Sequence, residues 1–177
     1  MMKVGVKKIS VCRKRLIIWL ILTLISIVVG IFIDIILKTK AFPIFVRLSG
    51  LIGMLLAHFP LKRTGRLLKF VENPKEWGCT SRLLTTDIYK CVRHPHHLCI
   101  GIFMTFLGLF IGHMGSFLVI TISQWAWIIM FLFLVEEKEL TEKFGEEYKI
   151  YRQEVPMLFP KLLCVFRVMG NFKEVSL

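Results

Sequence analysis

The sequence predicts an all-α fold: a single-domain, integral membrane helical bundle with about four transmembrane helices. A helical hairpin falls in its C-terminal half, and further helices lie at the interface. Three observations predict it. The chain of 177 residues is 55% hydrophobic, with a mean hydropathy of +0.67, well above soluble domains. Its charges are gathered into blocks instead of being interleaved with apolar residues. The apolar runs between those blocks are long enough to cross a bilayer, where a single segment closes its backbone hydrogen bonds only as a helix.

The first span is predicted over residues 16–37. At 1.5 Å per residue it reaches about 33 Å, enough for a hydrocarbon core of about 30 Å. Its length, and the lack of a small-x-small cleavage site, separate it from a signal peptide. Asp34 near its end reads as an interfacial carboxylate. The second span is predicted over residues 43–59. It opens on Pro43, whose missing N–H costs nothing in a first helical turn. Arg47, one turn in, reads as an anchor that snorkels to the surface.

Residues 60–94 form a polar segment, with Asn73-Pro74 and Trp77-Gly78 as punctuation and one short helix expected over residues 64–72. No Lys, Arg, Asp or Glu occurs from Leu98 to Val135. That stretch predicts a hairpin with arms 95–111 and 117–135 and a turn at Gly112-His113-Met114-Gly115-Ser116. The scheme is therefore N-terminal spans at 1–60, a cytoplasmic segment at 61–94, a functional hairpin and helix at 95–160, and a tail at 161–177.

The net charge of +12 does not point to nucleic acid. The cations flank apolar spans, where they fix orientation and meet anionic headgroups. Six basic and no acidic residues precede the first span, and residues 60–94 hold eight basic against three acidic. Four spans with both termini cytoplasmic satisfy the positive-inside rule. The membrane would be the cell membrane of a prokaryote or the endoplasmic reticulum of a eukaryote. The five cysteines form no CxxC and are odd in number, so reduced thiols are expected rather than a disulfide framework.

Two polar clusters flank the hairpin and would meet at one interface. In the first, Tyr89 precedes Arg93-His94-Pro95. The residue before a proline avoids the α region, so His94 should be non-helical and Pro95 should start the helix. The helix N-terminus and the two cations would form an anion pocket. In the second, Glu136 and Glu137 stand at the end of an apolar span. Glu137, Leu140, Phe144, Tyr148 and Tyr151 recur at helical spacing, with a bend possible at Gly145. An anion pocket, a carboxylate pair and aromatic rings beside an apolar cavity suit a zwitterionic, cationic cofactor with an aromatic base. S-adenosylmethionine is one such molecule, though not the only one.

Tyr-x-x-x-Arg-His-Pro, the hairpin, Glu-Glu-x-x-Leu-x-x-x-Phe-Gly-x-x-Tyr-x-x-Tyr and a closing Val-Pro together resemble the isoprenylcysteine carboxyl methyltransferase / phospholipid methyltransferase superfamily. The likeness covers about residues 85–160. It implies a membrane methyltransferase with S-adenosylmethionine as cofactor, bound by Tyr89, Arg93, His94, Pro95, Glu136, Glu137, Tyr148 and Tyr151. It also implies a lipophilic or lipid-anchored acceptor entering from membrane lipid, above all an isoprenylated cysteine carboxylate. The chain departs from the family pattern at Asp87, usually Gly, at His97, usually Tyr, and at Cys99, usually Gly.

Glu137 and His97 are the candidate catalytic residues. A carboxylate or thiolate acceptor needs no base, whereas an amine must lose a proton to Glu136, Glu137 or His97. A phospholipid, a small amine or a small thiol is the alternative acceptor, and a non-catalytic scaffold of the same fold is the alternative class. Cys91, His94, His96, His97 and Cys99 suggest a metal, but Pro95 splits the run and no common zinc spacing is present. No metal is expected.

Overall fold

The computed structural model describes residues 11–71 and 80–170. Six α-helices follow in order: α1 (Val11–Leu37), α2 (Ile44–Val71), α3 (Pro95–Ile111), α4 (Met114–Phe131), α5 (Glu137–Glu154) and α6 (Leu162–Gly170). A 3-10 turn, Asp87–Lys90, leads into α3, and a π-helical turn, Leu132–Glu136, joins α4 to α5. Among the described residues no strand forms, so the fold is the all-α membrane bundle expected. The helices over Arg13–Leu37, Ile44–Val71 and Met114–Glu154 are long and apolar enough to cross a bilayer. The apolar α3 is shorter at 17 residues, about 25 Å.

Two boundaries differ from expectation. The second span does not end near residue 59. α2 continues through Pro60 to Val71, so the separate short helix expected over residues 64–72 is the last two turns of α2. A proline removes only one bond of the helix ladder, and beyond it the Thr64 hydroxyl bonds back to the carbonyls of Pro60 and Leu61 at 3.0 Å. The second hairpin arm begins at Met114 rather than 117, because Gly112 adopts φ 90 and turns the chain within two residues. The Asn73-Pro74 and Trp77-Gly78 punctuation lies outside the described residues.

Packing follows membrane logic: outward faces are apolar, and the contacts between helices use small or hydrogen-bonding residues. Ile35, Phe45, Phe59 and Ile122 are exposed, as lipid-facing residues should be. α2 meets α3 at Gly50, where a Cβ would stand 2.7 Å from the Phe110 backbone nitrogen. α1 meets α4 through Trp19 Nε1–H donating to Gln124 Oε1 at 3.1 Å and Ser123 donating to Ser26 at 2.8 Å. Asp34, expected as an interfacial carboxylate, takes a specific position. It accepts the Ser116 N–H at 3.1 Å and so caps the N-terminus of α4. α3 and α4 are joined by Trp125 Nε1–H donating to Thr105 at 3.1 Å.

Candidate active site

The segment before α3 is positioned from below by the Val-Pro strip. The Arg93 N–H donates to the Pro156 carbonyl at 2.9 Å, and the His94 N–H donates to the Met157 carbonyl at 3.2 Å. His94 is non-helical (φ −120, ψ 59) and Pro95 opens α3, as the dipeptide demands. Further back, the Tyr151 hydroxyl donates to the Tyr89 carbonyl at 2.6 Å. The Lys161 N–H donates to the Cys91 carbonyl at 3.1 Å.

Cys91 and Cys164 form a disulfide, their Cα atoms 5.5 Å apart. This corrects the expectation of reduced thiols. The two cysteines are 73 residues apart in sequence, and only the return of the chain past the Val-Pro strip brings them together. Cys99 is free and buried.

The second cluster reaches the first through two irregularities. The π-helical turn ends at Glu136, a device that re-aims side chains within a helix. Gly145 then takes φ 54 and ψ −124 inside α5, which breaks the helix at the bend the sequence suggested. The break has a geometric consequence. In a straight helix, residues 11 apart are separated by about 16 Å. Yet the Tyr148 hydroxyl donates to Glu137 at 2.6 Å, a reach that the two side chains make only because α5 bends at Gly145.

Glu137 is the hub. Arg93 Nη1 lies 2.7 and 2.6 Å from its two oxygens, and His94 Nε2 lies 2.7 Å from Oε1. Arg93 Nη1 also donates to Tyr148 Oη at 3.2 Å. Arg93, His94, Glu137 and Tyr148 are all at most 8% exposed at the side chain or residue. The cations expected to form an open anion pocket are therefore already matched by Glu137. A buried carboxylate cannot stay ionised without such partners, and here two cations and a phenol supply them.

Glu136 turns the other way. One oxygen stands 3.4 Å from His94 Nδ1 and the other 3.5 Å from His97 Nδ1. His96, one residue before His97, points at α2 and meets Thr64 Oγ1 at 3.1 Å. For His94, burial on its own would lower the pKa. Only the Glu136 and Glu137 carboxylates together outweigh it, leaving the pKa raised to about 9. His94 is thus an imidazolium at neutral pH. Burial, with the Glu136 charge adding to it, raises the Tyr89 phenol and keeps it protonated.

A cleft opens over these groups, lined by Tyr89, Arg93, His94, His97, Glu136, Tyr148 and Tyr151. Every candidate site residue named from the sequence lines it or touches a residue that does. Glu137 stands behind Arg93 and His94, and Pro95 holds the backbone. Leu68, Val71, Leu83 and Leu84 also line the cleft, with Thr80, and sequence reasoning missed them because single apolar or hydroxyl residues in a polar segment carry no distinguishing spacing. Tyr89 Oη, Arg93 Nε, Glu136 Oε2 and Thr80 Oγ1 are buried without a hydrogen-bond partner. All four belong to residues lining this cleft. Buried polar atoms are seldom left unpaired, so these four mark where water or a ligand atom would be met.

Asp87 adopts φ 55, a backbone conformation that favours glycine. Its carboxylate is gripped by Arg63 Nη2 at 3.0 and 2.8 Å. The departure from the expected glycine is thus accommodated locally, at the start of the 3-10 turn.

No protein-family profile matches the chain. It is 34% identical over 111 residues to the methanethiol S-methyltransferase of Pseudomonas deceptionensis, a match covering 61% of this chain and 39% of that protein. It is 37% identical over 83 residues to methanethiol S-methyltransferase 2 of Bradyrhizobium diazoefficiens, covering 45% of this chain and 29% of that protein. A third match, 39% identical over 77 residues, is to the methanethiol S-methyltransferase of Pseudomonas sp. strain GM41(2012), with 42% and 27% covered. The matches thus span at most about two fifths of the length of these relatives. The chain is similar to methyltransferases, and these are named for a small thiol rather than for a prenylated protein.

Proposed function

We propose that the protein is a membrane methyltransferase that uses S-adenosylmethionine and methylates a small thiol. The observation that carries this reading is the set of unpartnered buried atoms around one cleft, where the two motifs meet. Their chemistry fits the cofactor. Tyr89 Oη and Arg93 Nε are donors suited to a carboxylate, Glu136 Oε2 is an acceptor suited to positive charge, and the leucines at 68, 83 and 84 suit an aromatic base. When bound, S-adenosylmethionine would supply an electrophilic methyl on a sulfonium.

The chain's own residues supply position and a dry environment, the main contributions an enzyme makes to such a displacement. Glu137 is a positioning residue in this reading. Its oxygens hold Arg93, His94 and Tyr148, which leaves it little capacity to act as a base. Glu136 and His97 face the cleft instead, and His97 is placed to take or share the thiol proton. A thiolate then needs no further base. The isoprenylated cysteine carboxylate implied by the family resemblance gives way to a small thiol. The similar proteins are thiol methyltransferases, and His97 stands where that family has a tyrosine. The membrane setting suits an apolar, volatile or lipid-soluble thiol.

The test is a methyl-transfer assay with labelled S-adenosylmethionine and the purified protein in lipid. Methanethiol and ethanethiol are offered against a farnesylcysteine derivative. Labelled dialkyl sulfide with wild type, lost in His97→Ala, supports the reading. Label only in the prenylcysteine ester would overturn the thiol assignment, and no cofactor binding by calorimetry would overturn the methyltransferase.

A further inference from the structure

The Glu136 carboxylate has a histidine nitrogen beside each of its oxygens, His97 at the unpartnered Oε2 and His94 at Oε1, and the three groups are close enough together to hold a metal ion. Ligand atoms on His94, His97 and Glu136 all lie within 4.8 Å of one another. His94 Nδ1 is 3.4 Å from one carboxylate oxygen, and His97 Nδ1 is 3.5 Å from the other. Around a tetrahedral zinc with bonds of about 2.0–2.1 Å, adjacent ligand atoms stand about 3.3–3.4 Å apart. Each separation is close to that edge, but they run to different oxygens of the carboxylate. A shift of the Glu136 carboxylate is therefore needed to bring both nitrogens around one of its oxygens; the single ligand atoms already lie within 4.8 Å of one another. Both separations are too long for good hydrogen bonds, and Glu136 Oε2 is buried with no hydrogen-bond partner.

The groups behind this trio are those a metal-binding histidine needs. A ligating imidazole usually gives its second ring N–H to a carboxylate, which fixes the tautomer. His94 Nε2 lies 2.7 Å from Glu137 Oε1, leaving Nδ1 directed at Glu136. Glu137 is held in turn by Arg93 and by Tyr148. The chain therefore has three first ligands and a rigid carboxylate support. His97 joins the set only because it replaces the tyrosine of the family pattern. Cys91 takes no part, being in the disulfide, and His96 points to Thr64.

We infer that His94, His97 and Glu136 bind a divalent transition metal of the zinc class, leaving a fourth position open for the sulfur of a small thiol. Two imidazoles and a carboxylate with one open position is the ligand count of catalytic rather than structural zinc. On binding, the metal replaces the proton at His94 Nδ1. With the metal in place, His97 and Glu136 are ligands and no longer the proton acceptor and counter-charge they are in the metal-free reading. A thiol that then enters therefore gives up its S–H proton to solvent and coordinates as thiolate, the form that binds metals. The open position's occupant rests on the small-thiol reading above, whereas the metal site does not. The site replaces the expectation of no metal, which followed from the sequence spacing. Local spacing carries no sign of such a set, because Glu136, the third ligand, is 39 residues beyond His97 in the numbering.

The full chain, purified in detergent and stripped with a chelator, is dialysed against zinc and its metal content measured by mass spectrometry. About one zinc per chain is expected, and none above buffer would overturn the site. Cobalt(II) substitution should give the intense visible bands of a tetrahedral ion. Ethanethiol should then add a sulfur-to-metal charge-transfer band, and its absence with cobalt bound would overturn the thiol at the open position. His97→Ala and Glu136→Ala should each weaken cobalt binding at least about 100-fold, and Glu137→Gln about 10- to 100-fold. Unchanged affinity in properly folded His97→Ala would overturn the ligand set, and the wild-type metal content decides the matter if that variant misfolds. Calorimetry of S-adenosylmethionine on the same stripped protein separates the two readings. Cofactor binding without metal uptake leaves the methyltransferase standing and removes the metal, and metal uptake without cofactor binding does the reverse.

Discussion

Tyr148 and Glu137 belong to the same helix, 11 residues apart, and still share a hydrogen bond of 2.6 Å. That contact closes the site. It holds the bend of α5 at Gly145, and it adds a phenol to a carboxylate already holding Arg93 and His94. The two sequence motifs are joined by this carboxylate, not by a ligand.

Removing that carboxylate should therefore damage structure before chemistry. Glu137→Ala leaves Arg93 and His94 buried with one fewer opposite charge. Breaking a buried pair in this way costs roughly 3–5 kcal/mol. A lowered unfolding midpoint in detergent is expected, with loss of cofactor binding. Glu137→Gln keeps the shape and a hydrogen-bond acceptor, so it should cost less. Equal stability of wild type and Glu137→Ala would show that the hub is not structural.

Asp87 offers a gain. Its φ of 55 suits glycine better than aspartate, but the Arg63 pair offsets part of that strain. Asp87→Gly should fold, with stability within about 1 kcal/mol of wild type. Asp87→Val should be clearly destabilised, since a β-branched residue is an outlier there. Thermal unfolding of the two variants side by side checks the order.

Much of this was legible in the sequence, and the misses have physical causes. The apolar runs gave the spans because lipid admits few alternatives to a helix. Pro95 announced the start of α3, and Gly145 announced the bend. The end of α2 was misjudged because the apolar run stops near Phe59, while the helix itself continues through the polar residues to Val71. Arg93 and His94 were read as facing a ligand because sequence shows charge but not pairing. The Cys91–Cys164 bond and the Glu136 contacts depend on chain return over long separations, which no local spacing encodes.

The disulfide joins the turn before the active segment to α6, so its loss should loosen that turn. Closing a loop across 73 residues is worth about 2–4 kcal/mol in typical proteins. Cys91→Ser, Cys164→Ser and reduction by dithiothreitol should lower stability by similar amounts and not additively. Mass spectrometry after alkylation without reductant should find Cys99 alone of Cys91, Cys99 and Cys164 modified once the protein is unfolded. Alkylation of Cys91 or Cys164 under those conditions would show the bond to be absent.

Gly145 isolates backbone conformation from crowding. A Cβ there would meet nothing within 4 Å, yet its φ of 54 with ψ of −124 lies where side-chain-bearing residues are strained. Gly145→Ala therefore adds no clash and tests the kink alone. The strained state costs of order 1–3 kcal/mol, whereas a straightened helix would carry Tyr148 away from Glu137. Either outcome weakens the hub, so cofactor binding should fall at least about tenfold. Alanine and wild type binding the cofactor equally would mean that the bend of α5 contributes nothing to the site.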